Sequence, residues 1–248
     1  ITCESSDASL NINVMLEGPY DDATGMMLTG LRDGSHIPLT DPYTGASTLA
    51  GTFFDEGNNL TVVDWVEIEI RQAATAAEAT VETVVDRFNG LVLSNGDVVG
   101  EDGTSNIVLT GIDGDAFIVV NHRNHLSMMS ATAVSAADGM YTYDFTTAVS
   151  QVYSDGAASV DGMAMMHQGD VNGDGTVKYV GASNDDIVIF NLIDGNTNLN
   201  NTDTGYNSAD VNMDGVSKYV GANNDATLIF NKVDGNSNLN NTVTTTTP

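Results

Sequence analysis

Asp170-Val171-Asn172-Gly173-Asp174-Gly175 and Asp210-Val211-Asn212-Met213-Asp214-Gly215 are two copies of one hexad. Each puts side-chain oxygens at its first, third and fifth positions and a glycine at the sixth. A hard cation such as calcium takes about six to eight oxygens at short range, and a loop curling round it must turn sharply at that glycine. The offset is 210 − 170 = 40 residues, and residues 170–204 match 210–244 at 24 of 35 positions, which makes this a true internal repeat. One such hexad is also an ordinary Asx-rich turn. Two in register point to a pair of calcium sites.

The shared residues run on through Lys178/Lys218, Tyr179/Tyr219, Gly181/Gly221, Asp185/Asp225 and Phe190/Phe230. On these residues the pair resembles the duplicated calcium loop–helix unit of dockerin modules. The resemblance implies ligands from Asp170, Asn172, Asp174 and the carbonyl of Thr176 in the first loop. In the second it implies Asp210, Asn212, Asp214 and the carbonyl of Val216. The family closes each loop with a carboxylate at position 12, but Gly181 and Gly221 stand there. A four-residue insertion, Tyr-Val-Gly-Ala in both copies, shifts the closing carboxylate to Asp185 or Asp225; Asn184 and Asn224 are the alternatives.

Asp185–Ile193 and Asp225–Val233 are predicted as short helices. Aspartate stands at the start of each and Asp-Gly at its end, although Ile187, Val188 and Ile189 are β-branched. Neither repeat has enough apolar side chains for its own core. The expected solution packs Phe190 and Ile193 against Phe230 and Val233, with the metal contributing folding free energy.

The chain has 248 residues, 34 acids and 7 bases, a net charge of −27. Nucleic-acid binding runs on Lys and Arg, so this balance excludes it and disfavours anionic membrane surfaces. No stretch approaches the ~20 apolar residues of a membrane span, so no insertion is expected. The first residue is Ile1, which suggests a processed, secreted product, and modest calcium loops suit an extracellular setting. Cys3 is the single cysteine, so no internal disulfide is available; it is inert, joins subunits or carries lipid.

Residues 8–17 alternate Leu10, Ile12, Val14 and Leu16 with polar neighbours, the period of a strand with one buried face. Val62–Ile70 is the most regular strand. Its aliphatic residues are expected in the core, Trp65 on a second, half-wet face, and Glu67 and Glu69 in solvent rather than as a glycosidase pair. Asn89–Val99 is a hairpin about Asn95-Gly96. Short strands with glycine turns between them predict a mainly β chain: a β-sandwich or jelly roll over residues 1–162, then a dockerin-like calcium domain and Thr-rich tail over 163–248. His122-Arg123-Asn124-His125 is the one cluster suggestive of chemistry; without a nucleophile or spaced acid beside it, it reads as a loop pinned by hydrogen bonds.

Leu16-Glu17-Gly18-Pro19-Tyr20, Val63-Asp64-Trp65-Val66 and His122-Arg123-Asn124-His125-Leu126 look like a recurring C-terminal region of large bacterial cell-surface and adhesin-like proteins. That resemblance implies secretion and a structural or adhesive role, with no catalysis to carry over. The expectation is therefore a non-enzymatic subunit of a surface filament or similar assembly at the cell surface. Its partners would be copies of itself, joined by exchange of the N-terminal strand. Asn59, Asn200 and Asn240 fit the N-glycan acceptor pattern. The alternative is a secreted carbohydrate- or protein-binding module with a calcium-dependent docking tail.

Overall fold

The computed structural model describes residues 7–248, so Cys3 and the readings placed on it lie outside the described residues. The protein is mainly β. In chain order the strands are β1 (Ala8–Asn13), β2 (Tyr20–Asp21), β3 (Met26–Met27), β4 (Val62–Arg71), β5 (Val84–Leu93), β6 (Val98–Val99), β7 (Ile107–Leu109), β8 (Phe117–His122), β9 (His125–Met129), β10 (Met140–Asp144), β11 (Ala158–Val160), β12 (Met163–Met165), β13 (Thr176–Lys178), β14 (Thr202–Thr204), β15 (Val216–Lys218) and β16 (Thr242–Thr244). The helices are α1 (Gly30–Asp33), α2 (Asp186–Leu192) and α3 (Asp225–Lys232). None is long and apolar enough to cross a membrane.

Five strands form an antiparallel sheet in the order β6-β5-β4-β8-β9. A second sheet has the order β10-β1-β7, with β1 parallel to β10 and antiparallel to β7. The alternation of β1 sends Leu10 and Ile12, with Val14 and Leu16 beyond them, into a core shared with Val66, Ile68, Ile70, Leu91, Ile118 and Val120 of the larger sheet. The hairpin β11–β12 crosses residue 162, so Met163 to Met166 pack with this larger core rather than with the repeats.

β4 is central, with strands on both sides, and this changes two expectations drawn from its alternation. Trp65 is fully buried, not half-wet. Residues 38–43 fold over it: Trp65 Nε1 donates to the Pro38 carbonyl (2.9 Å), and Tyr43 Oη donates to the Trp65 carbonyl (3.2 Å). Glu69 is also buried, because Arg71 (2.7 Å) and Arg87 (3.0 Å) neutralise it. A buried carboxylate is tolerable only when so paired.

Both helices form where the sequence places them. Asn184 Oδ1 accepts the Ile187 amide and Asn224 Oδ1 the Thr227 amide, each 2.8 Å, capping the exposed donors of the first turn. The expected pairing of Phe190 with Phe230 does not occur. Phe190 packs edge-on against Tyr219 (5.4 Å) and Phe230 against Tyr179 (5.1 Å), so each repeat's phenylalanine meets the other's tyrosine. Ile189, Ile229, Val177, Val211 and Val233 make the small core, joined by Leu126 from the β-domain.

The strands of the repeats interlock in the same way. β13, from the first repeat, pairs with β16 at the end of the second; β15, from the second, pairs with β14 at the end of the first. The threonine-rich tail is thus a strand and then a docked segment. Thr245 and Thr247 hydroxyls donate to the Ser127 carbonyl (both 3.1 Å), Thr246 donates to the Tyr153 carbonyl (2.7 Å), and Arg71 donates to the Pro248 carbonyl (2.8 Å).

Candidate metal centre

Each hexad closes on itself through its own amides. Asp170 accepts from Asp174 N (3.1 Å) and Gly175 N (3.0 Å), Asn172 Oδ1 from Asp174 N (2.8 Å), and Asp174 from Thr176 N (3.0 Å). The second loop repeats this: Asp210 accepts from Asp214 N (3.1 Å) and Gly215 N (2.8 Å), Asn212 from Asp214 N (3.0 Å), Asp214 from Val216 N (2.9 Å). Thr176 and Val216 open β13 and β15, so strand pairing fixes their carbonyls.

Asp185 and Asp225 are fully buried beside these loops. Asp185 accepts amides of Val171 (3.0 Å), Asn172 (3.3 Å) and Lys178 (2.7 Å); Asp225 accepts those of Val211 (2.7 Å), Asn212 (3.4 Å) and Lys218 (2.8 Å). A carboxylate has about four acceptor directions, so each retains roughly one for a cation. They staple the helix start to both ends of its loop. Asn184 and Asn224 are spent elsewhere, on the helix caps and on the carbonyls of Gly181 and Gly221 (both 2.6 Å).

Each loop gathers three carboxylates against one lysine: Asp170, Asp174 and Asp185 with Lys178, and Asp210, Asp214 and Asp225 with Lys218. Burial pushes Asp185 and Asp225 up to about 7, against the amides that lower them, and Asp170 or Asp210 adds its charge. Among the described residues, no three His, Cys, Asp or Glu side chains converge closely enough to hold a metal alone. A cation here would draw on Asn172 or Asn212 and on main-chain carbonyls as well. The donors are all oxygen, and with its three carboxylates ionised the loop is two negative, which fits a hard divalent ion.

The second loop is fastened to the β-domain. Met213 occupies the left-handed region (φ 60°), where the first repeat has Gly173 (φ 70°). Its side chain is buried in the larger core. At the β8–β9 turn Asn124 Nδ2 donates to the carbonyls of Ser208 (3.1 Å) and Asp210 (2.7 Å), and Arg123 donates to that of Asn207 while stacking on Tyr206 (4.5 Å). Arg123 and Tyr206 also meet Asp64 (2.9 and 2.7 Å).

His122 and His125 belong to this junction. His125 Nε2 accepts the Gly18 amide (3.0 Å), so its proton sits on Nδ1, facing Asn124 Oδ1 (2.8 Å) and His122 Nδ1 (3.0 Å). That leaves His122 Nε2–H to donate to Asp64 (3.1 Å). Both rings are neutral, and burial holds both below the ordinary imidazole range. Burial also pushes Asp64 up, but Arg123, His122 and Tyr206 outweigh it and keep the carboxylate ionised. Sequence reasoning had the cluster as a pin, which it is, but not what it pins; nor did it find Met213, whose replacement of a repeat glycine was the available signal. No family model, curated protein or solved structure matches this chain.

Proposed function

We propose that the protein is a non-enzymatic structural subunit of an extracellular, cell-surface assembly such as a filament, stabilised by calcium in the two loops. The observation that carries this reading is the pair of loops, each with three carboxyl groups against one lysine, inside repeats that complete one another. Asp170, Asn172, Asp174 and the Thr176 carbonyl would hold one ion, with Asp185 behind them; Asp210, Asn212, Asp214, the Val216 carbonyl and Asp225 would hold the other. The pairing of the repeats supports a dockerin-like module, and two sheets across one core support a β-sandwich for the first unit. The buried state of His122 and His125 supports a structural role for that cluster. Asn200 and Asn240 are exposed at equivalent places and suit glycan attachment, whereas Asn59 gives its amide to the Phe53 carbonyl (2.9 Å).

Electron microscopy and sizing of purified protein, with calcium and with a chelator, test the reading. Ordered assemblies that loosen on chelation are expected; a monomer under every condition would remove it.

A groove of about 590 Å³ favours a second reading, a carbohydrate- or protein-binding module. Thr44, Arg87, Phe88, Asn89, Asp102 and Asn106 line it, offering polar groups around one aromatic ring. A soluble monomer that binds glycans would favour this alternative.

A further inference from the structure

We infer that Arg32 and the cavity beside it bind the carboxylate of a single sugar ring, a hexuronate. The site is separate from the groove above and from the hexad loops, and it depends on neither reading of the whole protein.

The pattern of ion pairs points to it first. Six of the seven bases are paired within the chain, to Glu17, Asp64, Glu69, Asp174 or Asp214. Arg32 is the exception: among the described residues no carboxylate meets it, although it is only 7% exposed. Its Nη2 donates to the main-chain oxygens of Asp55 (3.0 Å) and Asn58 (2.6 Å). Those bonds use both Nη2 hydrogens and tie α1 to the loop before β4. Its Nε is buried without an acceptor, and among the described residues Nη1 has none either. A buried cation with donors to spare costs free energy until an anion completes it. In so acidic a chain, the one base left unpaired keeps its place for an anion from outside.

The cavity sets the size and kind of that anion. Arg32 lines a space of about 220 Å³. A water takes about 30 Å³ of liquid volume, so the space suits one ring rather than a chain. One guanidinium offsets one negative charge, and Asp55 also lines the cavity, which disfavours a doubly charged anion such as phosphate. A carboxylate carries the single charge required. Ile37, Leu39 and Phe54 give an apolar wall on which the face of a ring can lie. Ser35 and the exposed Asp55 give acceptors for hydroxyl groups, which explains an acid beside an anion site. One charge, one ring and several hydroxyls on a single ligand are the chemistry of a uronic acid.

Gly51 supplies the control. It lines the cavity, its backbone lies outside the left-handed region, and a side chain built on it meets open space. Gly51→Phe therefore blocks the cavity while Arg32 keeps its bonds.

Calorimetric titration of the full-length protein with glucuronate, glucose and acetate tests the site. Glucuronate is expected to bind saturably at one site per chain, glucose not at all, and acetate at least about tenfold more weakly, because it lacks the ring. Arg32→Gln should weaken glucuronate by roughly 10- to 100-fold. Gly51→Phe should abolish binding with the thermal midpoint unchanged, which keeps the test decisive if the arginine variant folds poorly. Asn89→Ala, in the other groove, should leave binding as it is. No saturable glucuronate binding, or binding that survives Gly51→Phe, would overturn the site. Glucose binding as tightly as glucuronate would overturn the role of Arg32, and acetate doing so would overturn the sugar. Loss of binding in Asn89→Ala but not in Gly51→Phe would move the ligand to the other groove and overturn this one.

Discussion

Asn124 Nδ2 lies 2.7 Å from the main-chain oxygen of Asp210, so a turn of the β-domain holds the first residue of the second loop by its backbone. The same amide reaches the Ser208 carbonyl. Replacing Asn124 by Ala leaves two carbonyls short of a partner at a buried junction, a loss of about 1–3 kcal/mol. Urea unfolding of the full chain should show it. Calcium titration should show the second site weakened and the first unchanged, since no Asn124 side-chain bond reaches the first loop.

Met213 gives an inverted series. A non-glycine residue in the left-handed region is strained by roughly 1–2 kcal/mol, and burial of the side chain offsets it here. Met213→Ala loses the buried side chain, keeps the strain, and should cost about 2–5 kcal/mol. Met213→Gly loses the same side chain and relieves the strain, so it should be more stable than the alanine variant by about 1 kcal/mol. In an ordinary helix or strand glycine is the worse of the two. Thermal midpoints of the three proteins decide the order.

Gly18 admits no side chain. A Cβ there would overlap the carbonyl oxygen of Val211 and press on the His125 ring, and the obstacle is backbone that cannot step aside. Gly18→Ala should destabilise by about 1–3 kcal/mol and free the repeats from the β-domain. Proteolysis near His167 to Gly169 should then become faster than in the wild type.

Acid should weaken the fold through its histidines. His122 and His125 are held low by burial, and His167 is pushed down to about 4 by burial and by Lys232. In the unfolded chain each titrates near ~6.5, so the unfolded state takes up protons first. Their contribution is intact above about 6.5 and is lost as pH falls from there toward about 4. Asp185 and Asp225, pushed up to about 7, act in the opposite sense over the same interval, so the histidine share is read as a difference: denaturant midpoints of His125→Gln, which keeps an acceptor for Gly18, should fall less, or rise more, between pH 7.5 and 5 than those of the wild type. An unchanged slope would show that acid acts through other groups.

Removing calcium should act first on the repeats. With chelator, hydrogen exchange should accelerate across residues 170–190 and 210–230 while β4 and β8 stay protected. Calorimetry should find two ions per chain, and Asp170→Ala and Asp210→Ala should each remove one. Uniform protection with and without chelator would discard the calcium sites.

What the sequence disclosed follows the range of its physics. β1, β4, the Asn95-Gly96 hairpin and both late helices were readable, because each is written in a local period or a local cap. The turns of the two hexads were readable for the same reason, and Asp185 and Asp225 stand beside them, bonded to loop amides. Partnership was not. Nothing near Trp65 announces that residues 38–43 will cover it, and nothing near Asp185 shows that three amides will claim its carboxylate. The exchange of phenylalanines between repeats was hidden because identical repeats make Phe190–Phe230 and Phe190–Tyr219 equally plausible on paper. The docking of the Thr-rich tail was not legible because its anchors, Ser127, Tyr153 and Arg71, lie far away in the chain.

The crossed pairing of β13 with β16 and β14 with β15 has a consequence for synthesis. A growing chain can finish its two larger sheets early, but the first hexad loop lacks its neighbouring strand until Thr242 to Thr244 have emerged. Thr242 to Thr244 therefore complete a loop begun some seventy residues earlier in the chain. A ribosome that stops after the first repeat releases a β-domain with an open, acidic appendage, which quality-control proteases can tell from the finished molecule.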